Sequence, residues 1–502
     1  METKQQPIQQ IISIRKEKLE QIIKQGFNPY PNFFRYNYDI CKIREKYSAL
    51  KHEEVASDEV VITKGRLMLR REMGKSIFCN IQDFTGNIQI YIRKDVVGDD
   101  KFQFFKDFID IGDIIGVEGE VFKTKTGELT INVRSFTLLA KSLRPLPEKW
   151  HGLKDIETRY RQRYLDLIVN PEVKETFIKR SKIISTIRQL LNEKGFIEVE
   201  TPMIQHLPGG AIARPFKTYH NALNEEFYFR IAPELYLKML LVGGMEKIYE
   251  LGKSFRNEGI DRYHNPEFTM VEIYQAYADY NDMIELMKEI FIKCCETVGN
   301  TEKIIFKDGE KTYEISTVNF HKFTLSELFN KYVGISIEDF LFDRVDDNTY
   351  KKLGIDVYEE DSANLKKKKP VKTLIDNVFE KYIQPNLVEP TFIVDYPKEL
   401  SPLAKYSPTD KKITERFEFY VAGKEIANAY SELNDPVEQY ERFLKQTTEE
   451  EKMALNLEFI TALEYGMPPA GGLGIGIDRL CMILTNNDSI RDVILFPLMK
   501  TL

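Results

Sequence analysis

The sequence predicts an α+β chain of two or three domains, a small β-barrel followed by a larger mixed region. Three observations carry this prediction. The length of 502 residues exceeds one ordinary core. A strand-rich texture begins at Val60 and runs to about residue 140. Strand-like and helical stretches then alternate to the C-terminus.

Composition is that of a soluble globular protein: 42% of residues are hydrophobic and 30% charged. A net charge of −7 excludes binding to nucleic acid through a global field, so such a partner must meet a local basic patch. Five cysteines without a CxxC pair suggest free thiols in a reducing compartment. No apolar run approaches the roughly 20 residues of a membrane span. The N-terminal stretch is too interrupted by charge for a signal peptide, and a cytoplasmic protein is expected.

Residues 8–25 place Ile8, Ile11, Ile12, Leu19, Ile22 and Ile23 at helical intervals, and "GFNPYP" stops that helix. Lys16, Lys18 and Lys24 read as its solvated face. "VVITKGRLMLRREM", "KSIFCNIQDFTGNIQIYIRK" and "GDIIGVEGEVFKTKTGELTINVRSFTLL" read as about five strands, with turns at Thr85-Gly86-Asn87 and Thr126-Gly127-Glu128. The helical "DKFQFFKDFID" lies before the fourth strand. This order suggests an OB-type barrel, a fold that often binds oligonucleotides. Arg66, Arg70, Arg71 and Lys75 supply charge, and Phe78 and Tyr91 supply rings on which bases could stack. The competing reading puts those rings in the barrel core.

"RPLPEKWHGLKD", with the single tryptophan, marks a boundary. The expected domains are a helical extension over 1–59, the barrel over 60–147 and a third region over 148–502. Two helices follow the boundary, "TRYRQRYLDLIV" and "KETFIKRSKIISTIRQLLNEKG", the latter ending at Gly195. The lysine run at 365–372 reads as a solvated helix start or loop beside the acidic "YEED".

Three clusters concentrate chemistry. "FRNEGIDRYHNPEFTM" packs Arg256, Glu258, Arg262, His264 and Glu267 between two expected strands; arginines there can bind phosphate bidentately, and Phe268 can stack beneath a purine. A surface hairpin laced with salt bridges is the alternative. In "RFEFYVAGKEIANAYSELND", Glu418, Glu425 and Glu432 are seven apart, and period two puts Asn428, Tyr430 and Glu432 on one strand face. Carboxylates converging from neighbouring strands suit Mg²⁺ with substrate phosphates. "GGLGIGIDRL" offers glycines for close approach and Arg479 at a helix start, but is neither a Walker loop nor GxGxxG.

In this order the clusters resemble the signature motifs of class II aminoacyl-tRNA synthetases, with "GFIEVETPMI" (195–204) as the first motif. "HGLKDIETRYRQRYLDLI", "PGGAIARPF", "RIAPELYLK", "SPLAK" and "SELND" make the chain similar to the bacterial-type lysyl-tRNA synthetase family. The resemblance implies an OB-fold anticodon domain followed by a catalytic domain built on an antiparallel sheet flanked by helices. It implies activation of L-lysine by ATP with Mg²⁺, and transfer of the lysyl group to tRNA(Lys).

By the same resemblance, Arg256 and Arg479 are the catalytic residues, and Glu258, His264, Asn265 and Phe268 join them around ATP. Glu418 and Glu425 would hold the metal. Gly210, Glu234, Glu272, Tyr274, Asn428, Tyr430 and Glu432 would surround lysine, with Glu272 and Glu432 on its ε-ammonium. Arg66, Phe78, Gln89 and Glu118 would read the anticodon. The first motif, closing on Pro202, implies a homodimer. Aspartyl- and asparaginyl-tRNA synthetases share this plan and differ in the side-chain pocket, where an aspartate enzyme would carry cations and these stretches are expected to carry none. A protein-lysylating paralogue would lack the barrel.

Overall fold

The computed structural model describes residues 7–56, 59–147, 153, 155–207, 209–210, 213–360, 366–446 and 457–501. Trp150, part of "PGGAI" and Leu365, which opens the 365–372 run, lie outside the described residues. The chain divides into two compact units, 1–154 and 155–502.

The first unit holds helices α1 (Ile8–Lys24) and α2 (Ile40–Lys46), then strands β1 (Val61–Met73), β2 (Ser76–Gln82) and β3 (Asn87–Arg93). Helices α3 (Lys94–Val97) and α4 (Asp99–Phe108) precede β4 (Ile114–Lys123) and β5 (Leu129–Ala140). The strands close in the order β1-β2-β3-β5-β4. Alternation explains the closure: Val61, Leu67, Ile77, Ile81, Ile88, Ile90 and Ile92 point inward and are buried, while their neighbours face out. Helix α1 is tied on by Arg15, which donates to the carbonyls of Ile111 (2.9 Å), Ser142 (2.9 Å) and Arg144 (3.1 Å), and by Lys18 on Asp110 (2.7 Å).

The second unit opens with α5 (Ile156–Arg161), α6 (Arg163–Val169) and α7 (Pro171–Glu193), followed by the short strands β6 (Ile197–Glu198), β7 (Ile204–Gln205), β8 (Lys217–His220) and β9 (Glu225–Phe229). Pro171 starts α7 where a missing N–H costs nothing. Next come α8 (Glu234–Val242), β10 (Lys247–Phe255), β11 (Glu267–Ala276) and α9 (Tyr280–Thr297), the last opened by an Asp279–Asp282 capping box. Strands β12 (Lys303–Asp308) and β13 (Lys311–Ser316) form a hairpin, and β14 (His321–Thr324) leads into α10 (Leu325–Tyr332), α11 (Ile337–Leu341) and α12 (Asp347–Lys352). After β15 (Tyr358–Glu360), β16 (Lys366–Lys368) and α13 (Val371–Val378), the chain returns through β17 (Thr391–Pro397), β18 (Ile413–Val421) and β19 (Lys424–Ser431). It ends with α14 (Pro436–Gln446), α15 (Leu457–Glu464), β20 (Ala470–Gly476), α16 (Ile477–Leu484) and α17 (Ile490–Val493).

One eight-stranded sheet, in the order β14-β17-β18-β19-β20-β11-β10-β6, organises this unit. Strands β17 through β10 pair antiparallel, as expected, but each edge carries a parallel strand, β14 and β6. Odd-numbered residues Val271, Ile273, Leu473, Ile475, Phe417 and Phe419 face a core filled by Ile187 of α7, Met287 and Phe291 of α9, and Met482 of α16. Their even-numbered neighbours must face the other way, and the candidate site lies there. The lysine run divides: Val371 and Lys372 open α13, as a helix start should, but Lys366–Lys368 pair as a strand with Tyr358–Glu360, Lys367 standing opposite Glu359. Opposite charges across the pair favour that hairpin.

Candidate active site

A cavity of about 1440 Å³ opens on the second face of the sheet. Register builds its floor. Glu272, Gly474, Asn428 and Glu418 form one row across β11, β20, β19 and β18, and Tyr274, Gly472, Tyr430 and Arg416 form the next. On β20, Leu473 and Ile475 are spent on the core, so the cavity side of that strand is bare backbone. A Cβ on Gly472 would overlap Glu432 Oε1 and lie 2.7 Å from the Tyr274 ring. The glycines keep a flat channel open between two walls of polar side chains.

At one end stands the loop joining β10 to β11. It is held by the Arg256 N–H on the Pro266 carbonyl (2.9 Å), and by Asp261 Oδ1 accepting from the N–H groups of Tyr263 (2.6 Å) and His264 (2.8 Å). Arg256 lies 5.1 Å from the Phe268 ring centre, and its buried Nε has no partner among the described residues. His264 Nδ1 is 2.8 Å from Asp261 Oδ2 and its Nε2 is 3.2 Å from Arg479 Nη2. An arginine only donates, so Nε2 accepts there and Nδ1 carries the proton. Arg479 also donates to the Glu425 carbonyl (3.1 Å) and Oε2 (3.3 Å). Asn265 is buried, its Nδ2 donating to the Glu267 carbonyl (2.6 Å) and its Oδ1 unpartnered among the described residues. Glu258 is exposed on the loop.

The carboxylates of β18 and β19 stand beside this end. Glu418 accepts from Arg416 (2.6 Å), Tyr396 (2.8 Å) and Tyr420 (2.9 Å). Desolvation, then the nearby Glu418 charge, pushes the Glu425 carboxyl up, and Arg479, Arg416 and Arg256 only partly oppose this. Such like-charge crowding suits a divalent cation. No group of three or more His, Cys, Asp or Glu side chains positioned for a metal occurs among the described residues, so most ligands would have to come from a substrate. Two carboxylates plus phosphate oxygens fit Mg²⁺.

At the other end lie three buried glutamates, Glu234, Glu272 and Glu432. The sequence reading expected no cation here; the structure corrects this. Lys238 of "ELYLK", fully buried, places Nζ 2.6 Å from Glu234 Oε1 and 2.5 Å from Glu432 Oε2, and Arg416 stands one row away. The reason is physical: three carboxylates cannot be buried together uncompensated. Tyr274 donates to Glu272 Oε2 (3.1 Å). Burial first, then the Glu234 charge, pushes Glu272 up to about 8. Burial likewise raises Glu432 to about 8, with Lys238 opposing and Glu234 adding to the shift. Burial works against the charge on Lys238, yet Glu234 and Glu432 outweigh it and the ammonium is held charged. Gly210, at φ +86°, sits against Glu234, where a Cβ would come within 3.0 Å of the glutamate Cβ. Asn428 donates to the Tyr430 hydroxyl (2.7 Å) and accepts from Arg416 (3.1 Å).

Of the expected catalytic-unit residues, Pro202 lies away from the cavity lining, exposed beside Met203 and Ile204; so do Arg262, whose guanidinium is taken up by Asp308 and Asp488 and not left for phosphate, and Glu267, paired with Lys253. Two groups were missed. Asp376 of α13 lines the cavity and is pushed up to about 6, chiefly by burial. Lys424, also in the lining, lies 4.0 Å from the Tyr263 ring and 2.7 Å from Asp308. Asp376 stands in no motif, so only packing could have revealed it; Lys424 lies within the 416–435 cluster, beside Glu425, and could have been singled out there.

In the first unit, Arg66, Phe78, Gln89 and Glu118 occupy outward, half-exposed positions of β1, β2, β3 and β4. Phe78 stacks on Tyr91 with centroids 4.2 Å apart, so both rings are outside the core. Arg66 donates to the Gly112 carbonyl (2.7 Å), Gln89 accepts from Thr130 (2.8 Å) and Glu118 from Ser135 (3.0 Å). Arg70 departs from expectation: its guanidinium is consumed by the carbonyls of Phe105, Lys106 and Ile109 at the end of α4.

A barrel of outward rings and a two-ended cavity on an antiparallel sheet find their match in known proteins. Residues 155–500 match the family described as tRNA synthetases class II (D, K and N), and residues 61–139 match the OB-fold nucleic acid binding domain; the chain belongs to the class II tRNA synthetases. Among curated relatives, the lysine–tRNA ligase of Carboxydothermus hydrogenoformans is 50% identical over 99% of both chains. That of Pelotomaculum thermopropionicum is 49% identical over 99% of this chain and 96% of the relative. That of Aquifex aeolicus is 53% identical over 87% of this chain and 72% of the relative.

Proposed function

We propose that this chain activates L-lysine with ATP to lysyl-adenylate and transfers the lysyl group to the 3′ end of tRNA(Lys). The observation that carries the reading is the cavity's division into an arginine-and-ring end and a buried-carboxylate end. An adenylate-forming site must hold a triphosphate and a zwitterion side by side, and only a lysine-like substrate gives buried glutamates an ammonium.

In this reading Phe268 stacks on adenine, Arg479 covers its other face and reaches the γ-phosphate, and Glu258 and Asn265 meet the ring edge. His264 turns to the β- and γ-phosphates. Arg256 binds the α-phosphate and the lysine carboxylate. Glu418 and Glu425 would hold Mg²⁺, which would supply positive charge to the phosphate oxygens. Glu234 and Gly210 fix the α-amino group, Asn428 the carboxylate, and Glu272, Tyr274, Tyr430 and Glu432 enclose the side chain. The carboxylate oxygen attacks the α-phosphorus in line and pyrophosphate leaves. That oxygen is already anionic at neutral pH, so this chain's residues position the reactants and stabilise charge without a general base. A terminal ribose hydroxyl of tRNA then displaces AMP from the lysyl carbonyl.

The barrel over 60–147 takes the anticodon through Arg66, Phe78, Gln89 and Glu118, with 1–59 as its helical extension and 148–502 as the catalytic domain. A homodimer is supported by Ile197, Met203 and Ile204, which are 56%, 45% and 50% exposed around Pro202. No described helix is long and apolar enough to cross a membrane, and a tRNA substrate supports a cytoplasmic location. ATP–pyrophosphate exchange without tRNA, offered lysine, aspartate or asparagine, tests the reading. Exchange with lysine alone is expected; exchange with aspartate or asparagine would overturn the pocket assignment.

A further inference from the structure

We propose that Lys238 is a positioning residue that sets the side-chain length accepted by the amino-acid pocket, because its one ammonium braces the carboxylates that meet both ends of the bound lysine. This rests on the lysine-activating reading above. In that reading Glu234 meets the α-ammonium and Glu432 the ε-ammonium. Lys238 holds both, at 2.6 Å and 2.5 Å, from a position with no solvent exposure.

Three features make this a brace and not a loose counter-ion. Glu234 and Lys238 are one turn apart on α8, so the helix fixes their separation. Glu432 comes from a different element, at the end of β19, and its backbone N–H is anchored to the Ala470 carbonyl (2.8 Å). The free oxygen of Glu432, Oε1, is buried without a partner among the described residues and is pressed against Gly472, so it has no room to turn away. An unpaired buried carboxylate oxygen facing a cavity is a site awaiting a donor.

Charge counting supports the same role. Glu234, Glu272 and Glu432 bring three negative charges and Lys238 one positive charge. With all three glutamates ionised, a bound lysine adds two ammoniums and the pocket is balanced, since in the reading above the substrate's own carboxylate is met by Arg256. Glu250, the next carboxylate behind Glu272 in the sheet, is already paired with Arg230. Ornithine carries the same charges on a chain shorter by one methylene. With Glu234 and Glu432 held at fixed separation, it cannot satisfy both.

The test is exchange by the full chain with lysine and with ornithine, for wild type, Lys238→Met and Lys238→Arg, folding being checked by circular dichroism. Wild type failing to exchange with lysine would sink the functional reading itself, separately from this inference. Given wild-type activity, Lys238→Met should raise KM for lysine at least ~10-fold and narrow the lysine-over-ornithine preference in kcat/KM by ~10-fold. KM for ATP should stay within about twofold. Should Lys238→Met not fold, Lys238→Arg keeps the charge but displaces the donors, and the same narrowing is expected. An unchanged preference in a folded variant, or equal losses for ATP and lysine, overturns the inference. So does failure of both variants to fold, which would make Lys238 a core ion.

Discussion

The two ends of the cavity solve opposite electrostatic problems. At the loop end the polar groups are partly exposed and paired with one another: Arg479 with His264 and Glu425, His264 with Asp261. Those partners are separable side chains that can exchange an internal contact for a phosphate at little cost. At the carboxylate end the charges are buried, and one internal ammonium pairs with two of the three glutamates, leaving Glu272 only the Tyr274 hydroxyl. There the free protein carries the penalty, and the incoming cation relieves it. The lesson is that a tolerant, solvated network suits a flexible triphosphate, whereas selectivity for a small side chain needs a preorganised and frustrated pocket.

Changes on either side should separate cleanly. The largest effect belongs to Arg256→Ala, which removes the cation over Phe268; lysine-dependent exchange should fall ~10³-fold with the circular dichroism spectrum and tRNA binding intact. Retained activity would strip Arg256 of its role. Gly472→Ala comes next. Its methyl overlaps Glu432 and crowds Tyr274, so lysine KM should rise ~100-fold while ATP, bound at the far end, is still retained by equilibrium dialysis. Glu432→Gln should likewise weaken lysine by ~10–100-fold and ATP hardly at all; equal effects would erase the distinction between the ends.

The pH response sharpens the contrast further. Glu272 and Glu432, raised to about 8, must be ionised to receive an ammonium. Lysine KM should therefore fall as pH rises from 6 to 8, by up to ~10-fold per unit for each proton released, and level off above. ATP KM should not follow. The sign for stability is opposite. The folded, ligand-free chain holds more protons than the unfolded one between about 4.5 and 8, so these groups lower stability as pH rises through that window. Saturating lysine should restore it in thermal unfolding. The smallest effect is expected in the barrel, where Phe78→Ala should raise KM for tRNA ~10-fold and leave exchange without tRNA untouched.

Much of the site is legible in one dimension because the chemistry sits in contiguous runs. Arg256 to Phe268 lie on one loop and strand, and period two alone places Asn428 and Tyr430 on one face, as the pairing of β18 with β19 bears out. The barrel strands announce themselves by alternation and by glycine turns. What stays hidden depends on register between distant strands or on burial. No local pattern says that Gly474 sits between Glu272 and Asn428, since that follows from how β20 enters between β11 and β19. Lys238 reads as an ordinary amphipathic-helix lysine until Glu432, nearly two hundred positions later, arrives beside it. Arg70 looks like a phosphate ligand until the end of α4 claims it. Charged residues are ambiguous in sequence because their partners decide their work.

The tethering of α1 has a consequence for how the chain is made. Arg15 donates to carbonyls 96, 127 and 129 positions further on. At roughly 5–20 residues per second of synthesis, about ten seconds separate the emergence of α1 from that of its last acceptors. This helix, made before the barrel, thus docks only when the barrel strands are complete, and during that interval its apolar stripe of Ile12, Leu19 and Ile22 is open to the factors that shield nascent chains.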